Sequence, residues 1–83
     1  MESIARTPKQ IGDVVRRHRK LLGLSQTDLG AKTGLRQATI SDLERGIGRA
    51  QLQTLVRVLS ALGLELVIRE RTRAQAKDME DLF

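Results

Sequence analysis

The chain has 83 residues, enough for one domain with a modest core. It has no cysteine, which excludes disulfide scaffolds, cysteine-ligated zinc and thiol catalysis, and its one aromatic residue is Phe83, so a core must be built from Leu, Ile and Val. The net charge of +5 is unevenly placed: residues 1–49 carry ten Lys or Arg against five Asp or Glu, and residues 50–83 carry five of each. A basic half is the electrostatic footprint of a phosphate binder, although a charged helix surface is more often just solvated. No apolar run approaches the ~20 residues of a membrane span, and the N-terminus has no signal-peptide h-region. The chain is expected in the cytoplasm, with no membrane partner.

Residues 1–6, MESIAR, show no period and are expected to be flexible. Thr7-Pro8-Lys9-Gln10 predicts a helix start, with Thr as N-cap, Pro at the first helical position and Gln three residues after the cap. This helix runs to about Leu22. Ile11, Val14, Val15, His18 and Leu22 trace its apolar stripe at 3.6-residue spacing. Arg16, Arg17 and Lys20 lie off the stripe, exposed and available to phosphates. His18 is the only histidine, and no cysteine exists to join it. A metal or general-base role therefore gives way to a helix-surface or half-buried side chain. Neither a metal nor a cofactor is expected.

Residues 25–46, SQTDLGAKTGLRQATISDLERG, carry the strongest pattern. Ser25 is a good N-cap, and Asp28 three residues on partly mimics a capping box. Leu29 anchors a short helix that Gly34 ends. A second helix starts near Arg36, with Ile40 and Leu43 on one face, and Gly46 closes it. Its opposite face carries Arg36, Gln37, Ala38, Ser41, Asp42 and Arg45. Small and hydrogen-bonding side chains at a helix N-terminus suit the major groove of DNA. Gln can bond an adenine edge in two places, Arg can bond guanine, and Ala can touch the thymine methyl. Helix, tight turn and recognition helix make a helix-turn-helix.

Ile47 to Ala50 read as a loop. The next helix spans about residues 51–62, with Leu52, Leu55, Val56, Leu59 and Leu62 as its buried stripe and Gly63 as its stop. In residues 64–70, LELVIRE, the apolar Leu64, Leu66 and Ile68 alternate with Glu65, Val67 and Arg69. That spacing predicts a strand with one apolar face, the alternative being a fifth helix. A lone strand satisfies neither its edges nor its apolar face, so pairing with the same strand of a second copy is expected. The tail RTRAQAKDMEDLF turns from basic to acidic along its length. It is either a solubilising terminus or a segment that orders on a partner, with Met79, Leu82 and Phe83 as candidate partner-binding anchors.

The run GLSQTDLGAKTGLRQATISDLERG resembles the helix-turn-helix of the phage-repressor/Cro superfamily, the xenobiotic-response-element (XRE) type, at Gly23, Leu24, Ser25, Gln26, Leu29, Gly34, Ile40, Ser41, Leu43, Glu44 and Gly46. One departure is Gly30, where the family usually has Ala. Another is the absence of Pro near Ala50. Four helices followed by a short shared strand, together with RQATIS in the recognition helix, resemble the HipB-like antitoxins of toxin–antitoxin systems, a branch of that superfamily, over about residues 8–70. The resemblance implies that Arg19 pairs with Glu44 in a partly buried structural ion pair. It also implies a HipA-like kinase toxin as partner.

The expected fold is mostly α: a four-helix, lambda-repressor-like helix-turn-helix domain, then a short β-strand pairing across a homodimer. The expected divisions are a flexible N-terminus at 1–6, a DNA-binding and dimerisation domain at 7–70 and a flexible tail at 71–83. The expected function is a nucleoid-associated, homodimeric, sequence-specific repressor that binds double-stranded DNA carrying an inverted repeat, and the resemblance implies the antitoxin of a HipBA-like toxin–antitoxin operon that autoregulates its promoter and binds its toxin. Arg36, Gln37, Ala38 and Ser41 are assigned to base edges. Ser25, Gln26, Thr39, Arg45 and Arg49 are assigned to phosphates. Two other functions stay open: a stand-alone phage- or element-type repressor without a toxin, and a protein-binding module with the helix-turn-helix as scaffold. An enzyme is not expected, because no phosphate-cradling glycine loop, metal cluster or nucleophile–base pair is present.

Overall fold

Thr7 is extended, and its hydroxyl accepts a hydrogen bond from the Gln10 amide at 3.1 Å, which starts the first helix, α1 (Pro8–Leu21), with proline at its first turn. The computed structural model describes residues 2–72 of the chain. Three more helices follow among them: α2 (Gln26–Thr33), α3 (Gln37–Arg45) and α4 (Leu52–Ala61). The side-chain carbonyl of Gln10 takes the amide of Arg6 at 2.6 Å, so the arm before α1 is tied back to its first turn. At α2 the capping box is complete. Ser25 accepts from the Asp28 amide, and Asp28 accepts from the Ser25 amide, both at 2.9 Å.

All four helices end alike. A left-handed glycine follows each one, and the next residue's amide reaches back to the last turn: Leu24 to Arg19, Leu35 to Gly30, Ile47 to Asp42 and Leu64 to Leu59. The residue after each glycine is apolar, and Leu24, Leu35 and Leu64 pack against the core. The core itself is Val15, Leu29, Ile40, Leu43, Val58, Leu59 and Leu62, one or more residues from every helix or its cap. Within it α3 lies against both α1 and α2, and α4 packs on α2.

Gly12 is what lets α1 and α3 approach. A Cβ there would overlap the Glu44 carbonyl oxygen and lie 2.5 Å from that of Leu43. Gly46 is fixed twice, by φ +69° and by the backbone of Lys9, which a Cβ would meet at 2.6 Å. Gly30 likewise leaves room for the Leu35 carbonyl oxygen, 2.6 Å from where a Cβ would sit.

The structure corrects the helix faces in three places. Leu22 is the C-cap of α1 and is exposed, because the chain turns there before the stripe can continue. On α4, Leu52 and Val56 are 70% and 50% exposed, whereas Val58, outside the expected stripe, is fully buried. Leu52 and Val56 share one face of α4 at i, i+4 spacing, and that face is left uncovered among the described residues, while Leu55 of the same helix packs against the core. Residues 64–72 form no strand in this single chain, and no strand occurs among the described residues. A strand exists only by ladder hydrogen bonds, and residues 64–72 make none with the other described residues. Of the expected apolar face, Leu64 packs against the core, but Leu66 is exposed and Ile68 is 90% exposed. Met79, Leu82 and Phe83 lie outside the described residues.

Candidate nucleic-acid interface

Ile40, Leu43 and Glu44 are the buried residues of α3, and they hold that helix against α1 and α2. Helical spacing then turns Ala38, Asp42 and Arg45 outward, and all three are exposed; Ser41 and Thr39 flank them and are half-buried. Arg36 is the N-cap of α3, extended, exposed and without a side-chain cap bond. Gln37, the first residue of α3, is exposed. Arg36, Gln37, Ala38 and Ser41 are thus grouped at the N-terminal end of one helix. Arg45 lies 3.8 Å from Asp42, an exposed pair of little energetic weight. Arg49 is exposed in the loop beyond α3.

Beneath this surface lies a buried ion pair. Arg19 Nε donates to Glu44 Oε2 at 2.6 Å, and Nη2 donates to Glu44 Oε1 at 3.1 Å. Its Nη1 donates to the Leu24 carbonyl at 2.7 Å, tying the end of α1 to the entrance of α2. Only 9% of the Arg19 side chain and 2% of that of Glu44 remain exposed. The hydrogen bond to Glu44 raises the Arg19 pKa further above its already high value. Among the described residues no buried side-chain polar atom lacks a partner.

A hydrogen-bonded path leads from this pair to the surface. Gln26, the first residue of α2, donates through Nε2 to Glu44 Oε1 at 3.3 Å. Its Oε1 accepts from Gln37 Nε2 at 2.6 Å. Sequence reasoning set Gln26 and Gln37 apart, one for phosphate and one for bases, and missed that they touch. The available signal was a glutamine at the first position of each of two consecutive helices. Ser25 is more committed than expected: its amide and its hydroxyl both serve the capping box. That box holds the Asp28 carboxyl below the ordinary carboxylate range, first through the Ser25 amide and then through its hydroxyl.

A bent pair of short helices with the second presented outward is decisive when set beside known proteins. A helix-turn-helix family model matches residues 15–68. The chain belongs to the helix-turn-helix family. Within that family it is an XRE-type protein similar in sequence and structure to antitoxin HipB. It is 30% identical to antitoxin HipB of Escherichia coli O6:H1 (strain CFT073) over 78 residues, 92% of this chain and 83% of that one. In structure it is similar to a chain of the HipA-HipB-O2-O3 complex, with a TM-score of 0.77 and 27% identity, covering 86% of this chain and all of the other. It is also similar to the restriction-modification controller protein C.AhdI of Aeromonas hydrophila, with a TM-score of 0.66 and 29% identity, covering 70% of this chain and 88% of that one. These relatives make it a DNA-binding helix-turn-helix regulator of HipB-like type. No helix among the described residues is long and apolar enough to cross a membrane.

Proposed function

We propose that the chain is a homodimeric repressor that binds an inverted repeat upstream of its own gene and also binds a HipA-like toxin encoded beside it. One observation carries the DNA reading: the exposed N-terminal end of α3 presents Gln37 with its side chain already held by Gln26 at 2.6 Å. A pre-held side chain loses less rotamer freedom on binding than a free one. With one amide hydrogen given to Gln26, Gln37 keeps an acceptor oxygen and one N–H. Together they match the N6 donor and N7 acceptor of adenine. Gln26 also keeps one N–H, which suits a phosphate oxygen. Arg36, Ala38 and Ser41 complete the base-reading end, and Ser25, Thr39, Arg45 and Arg49 are assigned to the backbone.

The dimer is supported by the apolar residues the single chain leaves bare. Leu66, Val67 and Ile68, with Leu52 and Val56 of α4, are all at least half exposed. Pairing residues 64–70 with the same segment of a second copy supplies the missing ladder and covers Leu66 and Ile68. Two recognition helices then enter successive major grooves ~34 Å apart, hence an inverted repeat. Support for the toxin comes from the relatives' names alone, an antitoxin and a HipA-HipB complex.

The test is fluorescence anisotropy with DNA from upstream of the gene against scrambled DNA, at two salt concentrations. Tight, salt-dependent binding to the native sequence with a clear margin over the scrambled one is expected. Equal, weak binding to both would reduce the interaction to its non-specific electrostatic part and defeat autoregulation. Replacing Gln37 by Ala should cost about 1–3 kcal/mol of discrimination at one base pair only.

A further inference from the structure

We infer that the buried Arg19–Glu44 pair, acting through Gln26, fixes the direction of the Gln37 amide and so selects adenine over guanine at the base pair Gln37 reads. This rests on the base-reading role proposed above. Arg19 and Glu44 are here positioning residues, since neither reaches the surface.

The argument is one of donors and acceptors. Arginine has only hydrogens to give, and a carboxylate has only lone pairs. Arg19 and Glu44 therefore form a pair whose polarity cannot reverse. Gln26 lies 3.3 Å from Glu44 Oε1 and must present its NH2 group there. A flipped Gln26 would set its carbonyl oxygen against the carboxylate, two acceptors with no hydrogen between them. With Gln26 so oriented, its oxygen faces Gln37, and Gln37 must present its own NH2 group at 2.6 Å. What Gln37 has left is one oxygen and one N–H, side by side in the amide plane, the complement of an adenine edge.

Without Glu44 the chain of bonds has no direction. Two neutral amides satisfy each other equally well either way round. In the reversed arrangement Gln37 gives its oxygen to Gln26 and turns both hydrogens outward. That arrangement complements guanine, which shows two acceptors, O6 and N7. The same side chain at the same place thus reads a different base according to a charge buried two residues inward along the path. The pair is also where α1 meets α3, so a structural role is already assured and does not by itself touch base choice.

The test uses the full chain and a duplex pool with a randomised centre. Selection with the wild type and with Gln37→Ala identifies the base pair at which only the variant has lost its preference. Binding is then measured by anisotropy for four duplexes differing at that base pair, with the wild type, Gln26→Leu and Glu44→Gln. Wild type is expected to prefer adenine over guanine roughly 5- to 150-fold, the range of one good bidentate contact. Gln26→Leu should bring this ratio close to one, and Glu44→Gln should move it toward guanine. Circular dichroism checks that Glu44→Gln folds. If it does not, Gln26→Leu decides, because Gln26 is half-buried on the surface and outside the ion pair. A merely structural role weakens all four duplexes equally. An unchanged adenine-to-guanine ratio in Gln26→Leu, or a wild type that prefers guanine, overturns the inference while the base reading stands. A Gln37→Ala variant that keeps every preference overturns the base reading, and this inference with it.

Discussion

Where α1 meets α3, the two backbones lie against each other and a buried ion pair closes the seam. On the outer face of α4 and along residues 66–68, apolar side chains face water. The first region has no room even for a methyl group at Gly12, and its buried polar atoms are satisfied within the chain. The second holds Leu52, Val56, Leu66, Val67 and Ile68, all at least half exposed within a short stretch of chain. Several large apolar side chains left this bare are what an interaction site needs. The contrast also follows charge, since the basic excess lies in residues 1–49 and the remainder is neutral. One chain is enough to pack the recognition helix against α1 and α2, and the proposed second copy would cover the other side.

The sharpest way to break this contrast is to open the seam. Glu44→Ala leaves the Arg19 guanidinium buried and uncompensated, and should cost about 3–5 kcal/mol of stability in urea unfolding. Arg19→Ala strands the carboxylate to similar effect. The double variant should lose less than the two losses added, and less than either alone, because no isolated charge remains. A double-mutant cycle with no coupling would mean that the pair is not the closure the geometry describes. Gly12→Ala comes next. Its methyl group would overlap the Glu44 carbonyl oxygen, so α1 and α3 must part, at about 1–3 kcal/mol. A neutral outcome in thermal unfolding would show that the two backbones have slack.

The seam and the bare face were unequally legible in the sequence. Helix limits depend on residues that act locally: Thr7 and Ser25 as caps, and Gly34, Gly46 and Gly63 as stops, stand where their chemistry predicts. Gly12 gave no signal, because a glycine within a helical period looks like a mere loss of propensity until its neighbour across the seam is known. Periodicity placed Leu52 and Val56 inside α4 and overlooked Val58, since a stripe shows which residues share a face but not where other helices end. In residues 64–70 the alternation was visible, yet a ladder requires a partner that one chain does not contain. The Gln26–Gln37 contact spans two helices, and spacing within either one cannot reveal it.

The bare face predicts a weaker effect on folding and a clear one on assembly. Ile68→Asp changes a side chain that is 90% exposed, so the stability of the isolated chain should stay within about 0.5 kcal/mol. Pairing through residues 64–70 would instead place a charge in an apolar contact. Dimer dissociation should rise tenfold or more, about 1.4 kcal/mol, in sedimentation velocity. A dimer that survives unchanged would move the interface to Leu52 and Val56, and an unaltered monomer would remove the reason for the exposed side chains.

The smallest effect separates the two regions by pH. The capping box lowers the Asp28 pKa in the folded chain, so its stabilising contribution is complete above the ordinary carboxylate value and disappears as pH falls through the lowered one. Asp28→Asn keeps a side-chain oxygen for the Ser25 amide but cannot titrate. The variant should be slightly less stable than wild type near neutral pH, where only the ionised carboxylate makes the stronger bonds, and the difference should vanish as the solution is acidified through the lowered value. The amide of Ser25 is an N-cap amide at the front of α2, beside Gln26, so the change should appear first in α2. Hydrogen exchange of α2 amides against those of α4 then gives the discriminating readout. Protection lost from α2 ahead of α4 on acidification in wild type, with no such pH dependence in Asp28→Asn, places the titrating contact in the cap. Simultaneous loss from both helices would mean that acid acts on the whole fold and that this cap carries no separate share of its stability.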